Sequence, residues 1–130
     1  MTEPLLLRSE EVEALLPMAE CIEVVADALA SLARGEAVVP LRSVVWHPDR
    51  HGLIGTMPGF FPVPGTAGVL GLKVVTVFPG NHALGLESHL GSILLFEGKH
   101  GHPIAIFPAA IFTAIRTAAV SAVATRLLAR

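Results

Sequence analysis

The sequence contains no tyrosine, one tryptophan and one cysteine, and only 5% of its 130 residues are aromatic. A lone Cys21 forms no internal disulfide, in keeping with a reducing compartment. With no histidine placed to activate it, Cys21 reads as a small buried hydrophobe. Charge is scarce too: 15% of residues are charged and the formal net charge is -2. No stretch clusters lysines and arginines with aromatics, so nucleic acid is not an expected partner. The spacing Gly65-x-x-Gly68-x-x-Gly71 is wrong for a dinucleotide fingerprint and precedes a strand-like run instead of following one, and no phosphate-cradling loop occurs. No apolar run approaches the ~20 residues of a membrane span, because Lys99, Pro103 and Pro108 interrupt the most apolar region. A membrane is therefore not expected. The start, Met1-Thr2-Glu3-Pro4, lacks the basic opening and small-residue cleavage pattern of a signal peptide, which points to a cytoplasmic location. His47 and His51 bracket a Pro-Asp turn and His100-Gly101-His102 sits in a second turn. Neither resembles a full zinc ligand set, so both read as solvated turn histidines and no metal is expected.

Apolar residues, in contrast, make up 52% of the chain. A chain of this length is one domain in size and removes roughly two-thirds of its unfolded surface from water. The apolar excess predicts that some surface is covered by another subunit or domain. After an extended Leu5-Leu6-Leu7, Ser9 is the expected N-cap of a short helix with Glu10 and Glu11 in its first turn. A second, amphipathic helix runs from about Ala19 to Arg34-Gly35. Residues 38–47 read as a strand with Pro40 near its start and Arg42, Val44 and Trp46 on one face. Residues 53–57 return as a hairpin partner that Met57-Pro58-Gly59 ends, and a Gly/Pro-rich loop follows to Gly68. Strands are expected at 71–78, 90–96 and 103–107, with an irregular loop over 79–88. Residues 113–130 form a helix rich in small side chains, which let another element approach closely. The expected fold is α/β (α+β): N-terminal helices, a mostly antiparallel sheet of about five or six strands, and a small-residue C-terminal helix.

Two cations stand in apolar settings. Lys73 shares a strand face with Val75 and Val77. Either it marks an edge strand, its stem snorkelling to water, or it awaits an anion in a site whose floor is this strand. Arg116 falls in the first turn of the expected last helix, where a cation opposes the dipole, with Val120, Val123 and Leu127 along its face. It either snorkels past those valines or forks onto an anion at the helix start.

Five motifs in order together resemble the N-terminal half of the ornithine cyclodeaminase/mu-crystallin family of NAD(P)-dependent enzymes. They are Val39-Pro40-Leu41-Arg42, Met57-Pro58-Gly59, Gly71-Leu72-Lys73-Val74-Val75 with Phe78-Pro79-Gly80-Asn81, Leu94-Leu95-Phe96, and Thr113-Ala114-Ile115-Arg116-Thr117-Ala118-Ala119. The resemblance implies that residues 1–112 are a substrate-binding and dimerisation domain and that 113–130 lead toward a Rossmann domain beyond Arg130. It implies that Arg42, Lys73 and Arg116 bind the carboxylate of an amino-acid or imino-acid substrate, with Met57 lining the pocket. Ser88, Arg116 and Thr117 then lie near an NAD or NADP cofactor that exchanges hydride with the substrate α-carbon. A homodimer is implied as well. No catalytic acid or base is assigned within these residues, so the 130 residues alone are expected to be inactive. Ornithine-using members place an acid two residues before the Met-Pro pair, where this chain has Gly55, which turns attention to enzymes that reduce imino acids or oxidise alanine. A free-standing carboxylate-binding or dimer-forming module is the alternative.

Overall fold

The computed structural model describes residues 3–130, so the sequence reading of Met1 and Thr2 lies outside them. Strand β1 (Leu5–Leu6) leads into helix α1 (Ser9–Leu15). The cap is Arg8 and not Ser9: the Arg8 backbone N–H donates to the Glu11 carboxylate at 2.7 Å, which satisfies an amide the helix leaves free. Helix α2 (Met18–Ala33) follows, and Gly35 at φ 74° turns the chain away from its end. Strand β2 (Ser43–Trp46) is shorter than the expected 38–47. Ahead of it Val38 makes only an isolated bridge to Phe60, and Pro40, without an N–H, cannot extend the ladder. Arg42 thus precedes the strand instead of alternating within it.

Strand β3 (Leu53–Phe61) passes straight through Met57-Pro58-Gly59, which does not end it. The reason lies in the direction of the ladder. The Phe60 N–H donates to the Val38 carbonyl at 2.8 Å, and alternation puts the Pro58 nitrogen on that same side, where β2 has already ended. Nothing is lost toward strand β4 (Val69–Val77), which pairs with β3 over its whole length. A short 3-10 helix (Pro79–Leu84), β5 (His89–Glu97) and β6 (Pro103–Pro108) complete the sheet. Its order is β1-β6-β5-β4-β3-β2, with β1 parallel to β6 and every other pair antiparallel. β4 therefore lies in the interior of the sheet, and the edge-strand account of Lys73 fails. Both faces of an interior strand can be apolar, as the sequence of β4 is.

Helix α3 (Ala109–Leu128) starts four residues before the expected 113, with Pro108 in the cap position. Proline without a free N–H suits that entry, and Ala109 to Phe112 carry no turn signal that would delay it. Arg116 consequently sits about two turns inside the helix. The reading of Arg116 as a first-turn cation opposing the dipole is thus corrected, and residue 113 lies inside the helix. α3 also corrects the expectation that no segment reaches membrane-spanning length: it has 20 residues and a mean hydropathy of 1.4. Here it packs on α2 and the sheet, with Ala119 at 0% exposure and Arg126 paired to Glu23. The small side chains permit that approach.

The helices cover one face of the sheet, where Ile93, Ala105 and Phe107 are buried with Val12 of α1 and Ala109 of α3. Among the described residues the other face has no covering element. Ile54, Thr76 and Leu90 form one cross-strand row on it, and Leu72, Leu94 and Ile106 another. Leu90 stays 55% exposed and Leu70 43% exposed, so this apolar surface lies open.

At Gly91 on β5, opposite Val75 of β4, a Cβ would meet the Val74 carbonyl oxygen and stand 3.0 Å from the Val75 Cα. Backbone cannot yield as a flexible side chain can. Gly91→Ala is expected to lower unfolding free energy by about 2 kcal/mol. Gly80→Ala, with open space around the new Cβ, should change it by less than ~0.5 kcal/mol in the same denaturant titrations.

Candidate functional site

Between the helices and the covered face of the sheet lies a cleft of about 460 Å³, within the usual range for a small-molecule site. β3 and β4 supply its floor: Met57 and Lys73 are direct cross-strand partners and both line it. Val25, Leu29 and Leu32 of α2 form one wall, and Phe112, Arg116 and Val120 of α3 another. On α3 the 112, 116, 120 spacing returns to one face every four residues, which is why all three reach the cleft. Lys73 and Arg116 are the charged residues of the lining.

The Lys73 ammonium donates to the Thr113 hydroxyl oxygen at 2.7 Å, joining the centre of the sheet to α3. Burial pushes Lys73 below its ordinary pKa of 10.5, and the positive charges of Arg116 and then Arg42 push the same way. Those charges connect the three cations, although Arg42 is exposed on the segment before β2 and is not part of the cleft wall. Among the described residues, none of the three makes an ion pair within 4 Å. The site thus concentrates positive charge against an apolar surface without its own counter-charge. A bound carboxylate would supply one and accept hydrogen bonds from two kinds of donor, ammonium and guanidinium.

The remaining sequence-assigned positions lie apart from this cleft. Ser88, at the entry to β5, is buried, with its hydroxyl 2.9 Å from His89 Nδ1 and its carbonyl accepting the Phe78 N–H at 2.8 Å. Thr117 is exposed on α3, and neither residue belongs to the cleft wall. Thr113 received no role from the sequence, although it stands three residues before Arg116 and so shares a helix face with it. The α2 wall carried no local signal beyond amphipathicity.

Similarity to known proteins identifies the family. The ornithine cyclodeaminase/mu-crystallin family matches over residues 2–130. The chain belongs to this family. Its relatives include mouse ketimine reductase mu-crystallin, 36% identical over 104 residues, a match covering 78% of this chain and 32% of that protein. Among solved structures, Thermococcus litoralis Delta(1)-pyrroline-2-carboxylate reductase in complex with NADH and L-proline is 41% identical with a TM-score of 0.86, covering 97% of this chain and 38% of that one. An archaeal alanine dehydrogenase dimer with bound NAD is 32% identical, also at 0.86, covering 99% of this chain and 38% of that one. These relatives are reductases and a dehydrogenase, two of them solved with NADH or NAD bound, and the chain spans only about a third to two-fifths of their length.

The depressed lysine sets a dependence on pH. Folded Lys73 holds its proton less readily than unfolded Lys73, so the native chain is penalised while both forms are charged. That penalty fades as pH rises from the lowered folded value toward 10.5. The melting temperature of the wild type is therefore expected to climb across that alkaline window relative to Lys73→Met, which has no charge to lose. A difference between the two that stays flat with pH would overturn the assignment.

Proposed function

We propose that this chain is the substrate-binding part of an NAD(P)-dependent amino-acid or imino-acid oxidoreductase of the ornithine cyclodeaminase type. Arg42, Lys73 and Arg116 hold the substrate carboxylate, and Met57 lines the pocket beside Lys73. The observation that carries this reading is the unpaired cation group at an apolar cleft. Holding the carboxylate fixes the orientation of the attached α-carbon, so the contribution of these residues is positioning. NAD or NADP, when bound, supplies the hydride chemistry. The described residues do not make a dinucleotide site of their own: Gly65, Gly68 and Gly71 run into β4, with no helix N-terminus after them to receive a pyrophosphate. Ser88, Arg116 and Thr117 border the cofactor in this reading, and its principal binding domain follows α3, with residues 1–112 as the substrate and dimerisation unit.

The buried Gly55 on β3 offers no carboxylate for a distal amine, which favours imino acids or small amino acids over ornithine. The open apolar face of the sheet suits a homodimer, in a cytoplasmic protein that engages neither nucleic acid nor membrane. The same face also fits a second reading: a carboxylate-binding or dimer-forming module without catalysis. Titration of the protein purified from its source with NADH and NADPH separates the two. Saturable binding supports the oxidoreductase, and its absence the module.

The direct test is made in the complete protein, or a complete homologue carrying the same cations. Loss of a charge-assisted hydrogen bond to a carboxylate costs about 1.5–3 kcal/mol. Lys73→Ala is therefore expected to lower kcat/KM by roughly 10- to 100-fold, whereas Lys99→Ala, in the exposed turn after β5, leaves it unchanged. Equal effects would remove Lys73 from the site.

A further inference from the structure

Away from the cleft, the described residues gather metal-ligating side chains in two hairpin turns. In the β2–β3 turn, His47, Asp49 and His51 each bring a donor atom within 4.8 Å of the others, and Glu97, His100 and His102 do the same in the β5–β6 turn. Chemistry separates the two clusters. The Glu97 carboxylate already accepts the backbone N–H groups of Lys99 and His100 at 2.7 Å and of His102 at 3.1 Å, which hold its pKa down at about 2. A carboxylate so committed closes its turn and has little left for an ion.

Asp49 differs. Its side chain is 81% exposed, and among the described residues its carboxylate accepts no hydrogen bond, with His47 Nδ1 standing 3.8 Å away. The two imidazoles already stand together, with ring centroids 3.9 Å apart, and His51 rests against Phe78 at 5.5 Å. The backbone enforces this proximity. The His47 N–H donates to the Gly52 carbonyl at 2.9 Å, the Arg50 N–H to the His47 carbonyl at 2.8 Å, and Arg50 takes a φ of 61°. Among the described residues Arg50 is the single non-glycine with positive φ. Such a conformation costs on the order of 1 kcal/mol, and here it returns the chain so that positions 47 and 51 stand side by side. The guanidinium of Arg50 is engaged over Trp46, 5.2 Å from the ring centroid.

We propose that His47, Asp49 and His51 bind a divalent transition-metal ion of the zinc, cobalt or nickel class. Two imidazoles and one carboxylate suit these ions and leave the remaining coordination positions to water. Around such an ion neighbouring donors stand about 3.4 Å apart, so the side chains must draw in by roughly 1 Å. All three are exposed, which leaves their rotamers free to do so. One existing contact is at stake, the Asp49 N–H on His47 Nδ1 at 3.3 Å, and water replaces so long a bond at an exposed amide. The site is independent of the carboxylate-binding cleft.

The test is calorimetric titration of the tag-free, full-length protein with Zn²⁺ in chelator-free buffer. The wild type is expected to take one ion per chain at this turn, with half-saturation below ~100 μM. His51→Gln and Asp49→Asn should each weaken it by at least about 10-fold, while the His100→Gln/His102→Gln double variant should leave it unchanged. No saturable binding below ~1 mM, binding that survives His47→Gln/His51→Gln, or binding lost in His100→Gln/His102→Gln would each overturn the proposal. Should His51→Gln disturb the turn by leaving Phe78, as circular dichroism without metal would reveal, Asp49→Asn decides alone.

Discussion

The structure turns on a lysine ammonium held at the centre of a sheet. Lys73 sits on an interior strand, faces the helices and feels the charges of Arg116 and Arg42, and among the described residues its ammonium donates to Thr113 on α3. Removing a cation from water beside like charges is costly, and a neutral hydroxyl compensates only in part. The arrangement becomes favourable when an anion joins it. The surrounding cleft is open enough to admit one and apolar enough to strengthen its attraction, because water screens charge poorly there. Charge and cavity thus meet at Lys73 and Arg116.

Much of this was legible in the residues themselves. Alternation in β4 and β5, the turn at Glu97-Gly98-Lys99-His100-Gly101 and the amphipathic α2 follow from local pattern, and the structure places those elements within a residue or two of expectation. The failures have physical causes. Pro58 reads as a strand terminator until its nitrogen is seen to face the side that β2 leaves vacant, a fact of tertiary pairing. Pro108 falls between the expected strand over 103–107 and the expected helix from 113, yet it caps the start of a helix because a missing N–H is harmless at that end. That shift carried Arg116 out of the helix terminus and replaced a dipole explanation with a cleft explanation.

At the candidate site Lys73 and Arg116 were visible as charges among valines, whereas their grouping with Arg42 came from the family resemblance and not from local pattern. Arg42, Lys73 and Arg116 come from different elements, and only the folding of α3 back over β4 brings Arg116 above Lys73. Thr113 illustrates the limit well. A threonine in a helix announces nothing by itself, and its value depends on an ammonium 40 residues away in sequence. Ser88 and Thr117 remain outside the cleft wall, and nothing in their local surroundings groups them with the three cations.

The uncovered sheet face has a thermodynamic consequence. Rows such as Ile54, Thr76 and Leu90 leave apolar surface in water that the fold of this chain alone cannot remove. Whatever covers that surface binds the folded chain and has no equivalent in the unfolded one, so it stabilises by mass action. The free energy of folding is then no fixed attribute of a solitary molecule. A separate partner covering that face would make it rise with the logarithm of the partner's concentration, and dilution would then act as a denaturant.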